Sequence, residues 1–336
     1  MNAIRLSEIG EPTRLELVDL DPPPPRAGQV RLKVMAAGVN FAEVLIRRGL
    51  YLPMPALPLI PGTDAAGVID ALGEGVAGFT VGQRVVATVS QGAYAQYVVA
   101  PARAVIPLPD DIDFDLAAGL PVSGMTAWHL TRTLVELRPG LTVLNYAAAG
   151  SVGSLINGLA AARGTTVIAM AGGPEKCARA LSLGATAAID YRAERDVPAR
   201  VAELTGGRGA DVVYNSVMGP TVVDDLRLLA PFGRIFYFGA AAGMPNAKHL
   251  LVGLMRRFVD SPTITMYHLL AHLRHDPAAH RTAWPHLFAA LRAGEARLPL
   301  HGVYPLAEAA RAHDDLEQRR TMGKCVLHPW PAEIVQ

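Results

Sequence analysis

From residue 141 the chain repeats one pattern, an apolar strand followed by a turn and an amphipathic helix, and this alternation limits its fold more than any other feature. Leu141 to Ala147 reads as a buried strand, Ser151 to Arg163 as a helix and Thr165 to Met170 as the next strand. Glu175 to Leu183 and Val197 to Leu204 read as helices flanking a short strand at Ala187 to Ile189. Asp211 to Asn215 and Gly233 to Phe238 are strands separated by a helix at Thr221 to Leu229. Strands joined through helices at this spacing form a parallel, doubly wound sheet.

The preceding residues follow a different grammar. Val30 to Ala36, Thr63 to Leu72, Gln83 to Val89, Tyr94 to Val99 and Ala104 to Leu108 are short strands punctuated by Gly and Pro. After about residue 265 the pattern turns helical and closes on a strand near Lys324 to His328. A chain of 336 residues suits two domains. The expected division is 1–122 with 266–336 for the β-rich domain and 123–265 for the doubly wound one. The overall class is α/β.

With 51% hydrophobic and 18% charged residues the chain can bury a sizeable interior. A formal charge of +1 gives no electrostatic footprint for nucleic acid. No apolar run reaches the length of a membrane span, so no membrane insertion is expected. Cys177 and Cys325 stand far apart, and the opening MNAIRLSEIGEP lacks the apolar core of a secretory signal. Both point to a reducing, cytoplasmic setting.

The segment Leu144 to Ser154 joins the first strand of the doubly wound region to its helix. Ala148, Gly150 and Gly153 occupy the three small positions of a relaxed GxGxxG, with Ser151 and Val152 between them. Small residues there let backbone approach a pyrophosphate, while the helix directs its amide-rich end at the anion. A rival reading places Ser151 at the tip of a nucleophile elbow in an α/β-hydrolase, which requires parallel strands before the elbow. The turn-rich region before it does not supply them.

A site for the unphosphorylated dinucleotide carries an acid about 20 residues beyond the glycines. Here the second strand runs out as Ile168 to Gly173 with no acid, and Lys176 and Tyr191 follow. An ammonium and a phenol suit a 2′-phosphate, which favours NADPH. The same lysine also fits a solvated helix face.

Several segments together resemble the zinc-independent quinone oxidoreductase branch of the medium-chain dehydrogenase/reductase superfamily. They are Ala37 to Glu43, Arg48 to Tyr51, Pro61 to Gly67, Val81 to Val85, Gly92 to Tyr97, Gly124 to Ala127, Ala147 to Gly153, Ile189 to Arg192 and Gly323-Lys324. The resemblance covers nearly the whole chain in order. It implies a GroES-like catalytic domain, a Rossmann domain inserted into it, and a homodimer. It assigns Asn40, Tyr51 and Thr126 to the nicotinamide end and Gly150 to Gly153 to the pyrophosphate. Gly172, Lys176 and Tyr191 would take the adenosine phosphate, and Ser216, Phe238 and Gly239 the nicotinamide ribose and ring. Lys324 is assigned to the cofactor as well. Asp64 stands where this branch usually has Glu, Asn215 where Asp is usual and Ser151 where a Gly is usual.

Zinc-dependent relatives carry Cys and His where this chain has Asn40 and Thr63, so no metal is expected. Without a Lewis acid, hydride should go to an acceptor that is already electrophilic, a quinone or an enone or enoyl compound. Tyr51 is the candidate for orienting the acceptor or supplying a proton, or else packs at the edge of the site. Asn40 joins it as a catalytic candidate. A non-catalytic NADPH-binding protein of the same fold is the alternative. His268, His272 and His275, with His280 beyond, suggest imidazoles stacked on one helix face, a metal site or simply a polar face. Tyr267, His268 and His272 are also candidates to line the substrate pocket.

Overall fold

The computed structural model describes residues 1–331, in two compact units. The first comprises Met1–Gly124 and the chain from Leu298 onward, and the second Met125–Arg297. The expected return to the first unit near residue 266 therefore falls some thirty residues later. The cause is the helix Pro277–Arg292, which buries Trp284, Leu287 and Phe288 and packs on the helix Met125–Trp128 of the second unit.

The first unit is built on a 7-stranded sheet. Its long strand Gln29–Val39 alternates buried and half-buried residues over most of its length, the period-2 mark of a sheet with one face on a core. This strand pairs with Asp64–Leu72, Tyr97–Pro101 and Lys324–His328, all antiparallel. Its register with Asp64–Leu72 shifts between Val34 and Ala36. There a side chain on Gly67 would lie 2.0 Å from the Lys33 carbonyl, so only glycine admits the irregularity. The pairing sets Gly38 opposite Asp64 and Val39 opposite Cys325. Asn40, Asp64 and Lys324 thus meet at one corner. A short helix missed in the sequence, Phe41–Arg47, starts there, and the Glu43 carboxylate accepts from the Asn40 amide at 2.9 Å across its first turn.

The second unit carries a 6-stranded sheet. In spatial order its strands are Ala187–Asp190, Thr166–Ala171, Thr142–Asn145, Ala210–Asn215, Leu229–Tyr237 and Thr263–Met266. Every pairing is parallel. This is the 3-2-1-4-5-6 order of a dinucleotide fold, with the direction of winding reversing between the first and fourth strands. The sixth strand escaped the sequence reading because it is short and only partly buried.

Asp225 lies fully buried beneath the strand ends, accepting from Tyr237 Oη at 2.9 Å and Asn215 Nδ2 at 2.7 Å. Burial pushes its carboxyl up to about 6, against the pull of hydrogen bonds from Tyr146, Tyr237 and Asn215. Between its ordinary value and about 6 the folded state holds the proton and the unfolded state does not. Stability contributed by this group is therefore present at low pH and lost as pH rises through about 6. Asp225→Asn should gain on the wild type by up to about 3 kcal/mol between pH 4 and 7. Urea unfolding of both proteins across that range measures the difference, and a constant offset would contradict the assignment.

Candidate active site

The glycine turn is held from inside. Ala147 adopts φ 49°, and its carbonyl accepts from Gly150 N at 2.8 Å, closing a tight bend before the helix Ser151–Ala161. A side chain at Gly153 would sit 2.3 Å from that carbonyl, so helix and bend touch backbone to backbone. Two fully buried asparagines brace the contact. Asn145 Nδ2 donates to Gly153 O at 2.9 Å and to Asn157 Oδ1 at 2.7 Å, and Asn157 Nδ2 donates to Ala148 O at 2.9 Å. The amides of Ser151, Val152 and Gly153 open the helix and have no acceptor within it, the arrangement that receives a pyrophosphate. The brace went unseen in the sequence, where neither asparagine belongs to the glycine motif.

Ser151 is the first residue of a regular helix, and the strained position of the turn is Ala147. The strand Thr142–Asn145 is also the first of its sheet. An elbow nucleophile needs a strained tip and preceding parallel strands, and Ser151 has neither.

Beyond the second strand, a side chain on Gly172 would fall 2.6 Å from Tyr191 Oη and 3.0 Å from Arg192 Nε. Gly172, Tyr191 and Arg192 therefore form one corner, with Lys176 on the adjoining helix Pro174–Ser182. Asp190 stands beside this corner, its Oδ1 taking the amides of Gly173 at 2.8 Å and Arg192 at 3.0 Å. Those backbone hydrogen bonds hold its carboxyl below the usual range. Arg192 carries no motif of its own in the sequence, although it stands beside Tyr191.

At the fourth and fifth strand ends, Ser216 and Gly239 lie so close that a side chain on Gly239 would meet Ser216 O at 2.8 Å. Phe238 N donates to Asn215 O at 3.1 Å. Thr126 is buried on the helix Met125–Trp128, which packs against Ser151–Ala161. The second unit thus brings Gly150 to Gly153, Ser216, Phe238 and Gly239 to the carboxyl ends of neighbouring strands.

In the first unit, Lys324 is 1% exposed, and its Nζ donates to Asn40 Oδ1 at 2.6 Å and Asp64 Oδ2 at 2.8 Å. Asn40 Nδ2 donates to Asp64 Oδ2 at 3.0 Å and Thr63 Oγ1 at 3.3 Å. Thr63 in turn donates to Glu43 Oε1 through its hydroxyl at 2.8 Å and its amide at 3.1 Å. Burial and the neighbouring Asp64 charge push Glu43 up, and burial pushes Asp64 up against the pull of Lys324. Both ends of the Asn40 amide are committed, and the Lys324 ammonium is spent inside the unit. Tyr51 lies in the loop after Phe41–Arg47, partly buried.

Of the four histidines only His272 and His275 lie within one helix, Leu269–His275. His268 caps the helix Leu269–His275 and accepts from Leu270 N, and Asp276 separates this helix from Pro277–Arg292. His272 instead stacks on the buried His129 at 3.8 Å, and His129 Nε2 lies 3.3 Å from His280 Nδ1. Burial, then mutual repulsion, lowers His129 to about 3 and His280 to about 4, so the cluster is neutral near pH 7. Tyr267 Oη, 3.1 Å from His272 Nδ1, completes it. Among the described residues no group of His, Cys, Asp or Glu is arranged to hold a metal ion.

Comparison with known proteins follows the same division. Residues 26–110 match the alcohol dehydrogenase GroES-like domain and residues 151–279 the zinc-binding dehydrogenase domain. The chain is 38% identical to a quinone oxidoreductase of Pseudomonas aeruginosa over 97% of its own length and 99% of that protein's. It is 36% identical to a 2-haloacrylate reductase of a Burkholderia species, over 91% of this chain and 92% of the other. The crystal structure of Escherichia coli quinone oxidoreductase complexed with NADPH superposes with a TM-score of 0.92 at 33% identity, covering 98% of this chain and 100% of that one.

The buried pair gives a sharp expectation. Lys324→Met leaves the buried Asp64 carboxyl without its ion partner, so that it must stay charged in low dielectric or take up a proton, and should cost about 3–5 kcal/mol in urea unfolding. Adding Asp64→Asn should recover most of the loss. A double variant as unstable as the single one would show that the ammonium matters for something other than Asp64.

Proposed function

The chain belongs to the quinone oxidoreductase branch of the medium-chain dehydrogenase/reductase superfamily, and from this membership we propose that it is an NADPH-dependent reductase of quinones or α,β-unsaturated carbonyl compounds that works without zinc. The observation that carries the reading is the braced bend at Gly150 to Gly153, with a corner at Gly172, Tyr191 and Arg192 where the one carboxylate, Asp190, is turned to the backbone amides of Gly173 and Arg192. The residues fit the cofactor: the helix Ser151–Ala161 starts at the bend, and the segment Leu144 to Ser154 that forms it carries no acid. When bound, NADPH supplies a hydride.

The chain's own residues account for the rest. The Ser151, Val152 and Gly153 amides take the pyrophosphate. Lys176, Tyr191 and Arg192 take the 2′-phosphate, for which a planar guanidinium offers paired donors. Thr126, Ser216, Phe238 and Gly239 are assigned to the nicotinamide end. Asn40 acts by position, since Lys324, Asp64 and Thr63 hold its amide. The phenol of Tyr51 is the proton-bearing group assigned to the acceptor.

The donor set at Asn40 supports zinc independence. An amide, the Thr63 hydroxyl and a carboxylate already neutralised by Lys324 do not make the three His, Cys or carboxylate ligands of a catalytic zinc. Such a site cannot polarise an ordinary ketone, so the acceptor must carry its own electrophilic carbon or quinone ring. The names of the two relatives, a quinone oxidoreductase and a 2-haloacrylate reductase, bracket that class. By the same membership the chain is assigned as a homodimer. A cytoplasmic setting agrees with two unpaired cysteines and with no described helix long and apolar enough to cross a membrane.

Nucleotide oxidation should be followed at the nicotinamide absorbance band with a panel of quinones, enones and enoyl thioesters, before and after chelator treatment. Turnover with at least one of these, unchanged by chelation, is expected. Lys176→Ala and Arg192→Ala should each weaken NADPH by about tenfold or more and leave NADH nearly unchanged. Equal losses for both nucleotides would remove the phosphate assignment, and binding without oxidation of any acceptor would leave a nucleotide-binding protein.

A further inference from the structure

At the edge of the second unit's sheet where the strands begin, opposite the glycine bend, lies a groove of ≈ 710 Å³. Five arginines line it, Arg132, Arg138, Arg163, Arg208 and Arg234, against the carboxylates of Glu136 and Asp211. We propose that this groove is a second binding site, for a phosphate-bearing small molecule with a flat apolar body.

The charges in the groove are under-compensated. Arg208 grips Asp211 through two bonds of 2.8 and 2.6 Å, which uses up the carboxylate nearest the strands. Arg138, Arg163 and Arg234 form no ion pair among the described residues. Arg132 is the telling one: its side chain is only 8% exposed, and its one carboxylate, on Glu295, stands 3.9 Å away. It has besides a 3.3 Å bond to its neighbour's carbonyl and the face of Trp128 at 5.7 Å. Burial and the like charge of Arg163 pull its guanidinium down to about 10. A buried cation beside a second cation, with an ion pair at the limit of contact, is costly unless an anion completes it. Guanidinium groups match phosphate oxygens in pairs, so a phosphate settles both arginines at once.

The apolar half of the ligand follows from Phe232. This residue is 76% exposed at the rim, with φ 61°. The left-handed region is strained for a bulky side chain, and no core packing repays the strain here. The strain holds an aromatic face beside the arginines, over walls formed by Leu134, Val135 and Leu141. A flat ring can stack there while its phosphate reaches inward. The volume lies within the range of small-molecule sites.

Calorimetric titration with phenyl phosphate and with inorganic phosphate tests this, in the presence of saturating NADPH to occupy the glycine bend. Saturable binding is expected, with phenyl phosphate about tenfold tighter than inorganic phosphate and both weakened by salt. Arg163→Gln and Arg234→Gln, both on the exposed rim, should each weaken phenyl phosphate by about fivefold or more without lowering the melting temperature. Phe232→Gly should abolish the preference for the ring and raise the melting temperature. No saturable heat, equal affinity in wild type and both arginine variants, or binding seen only in a parallel titration without NADPH would overturn the proposal.

Discussion

One backbone contact governs the second unit. The helix Ser151–Ala161 approaches the bend at Ala147 so closely that the room for a Cβ at Gly153 is 2.3 Å. Glycine permits that approach but does not enforce it. Enforcement comes from Asn145 and Asn157, whose buried amides bond Gly153 O, Ala148 O and each other. Each bond lies in low dielectric, where a lost partner costs more than the bond is worth in water. The helix end is therefore aimed before any anion arrives, and binding need not order it.

The first unit solves a different problem, the placing of charge inside a sheet. Three adjacent strands deliver Asn40, Asp64 and Lys324 to one point, where ammonium, carboxylate and amide neutralise and orient one another. The corner is closed around the Lys324 ammonium. Its specificity is geometric. Lys324 reaches Asn40 only because the strand Lys324–His328 returns to the sheet from the far end of the chain. Asn40 also begins the helix that carries the chain towards Tyr51.

The doubly wound sheet and the glycine bend were legible because each depends on local grammar. Alternating apolar strands with helices, and small residues at fixed offsets, leave a signature in consecutive positions. What escaped was long-range. The unit boundary at Arg297 depends on Trp284 and Phe288 packing within the second unit, which no window of sequence displays. The role of Lys324 depends on partners 284 and 260 residues away. The histidine face failed for a local reason: His268 caps the helix Leu269–His275 from outside it, and Asp276 and Pro277 separate His280 from that helix. Arg192 was within reach: a basic residue beside Tyr191 is the expected company of a phosphate, and only the closeness to Gly172 singles it out.

The departure at Asn215 is explained by its neighbour. Asp225 Oδ2 lies 2.7 Å from Asn215 Nδ2, in a site with no access to water. An aspartate at position 215 would set two carboxyls together there, and one would have to keep its proton. Asparagine avoids this by donating to Asp225 while its Oδ1 accepts the Val217 and Met218 amides at 2.7 and 2.9 Å. Those two amides fix the turn that follows the strand, with Met218 at φ 57°. The turn carries Ser216 against Gly239. Asn215 and Asp225 therefore act as one unit, and the chain's deviation from the usual acid preserves the backbone path on which the proposed nicotinamide contacts depend.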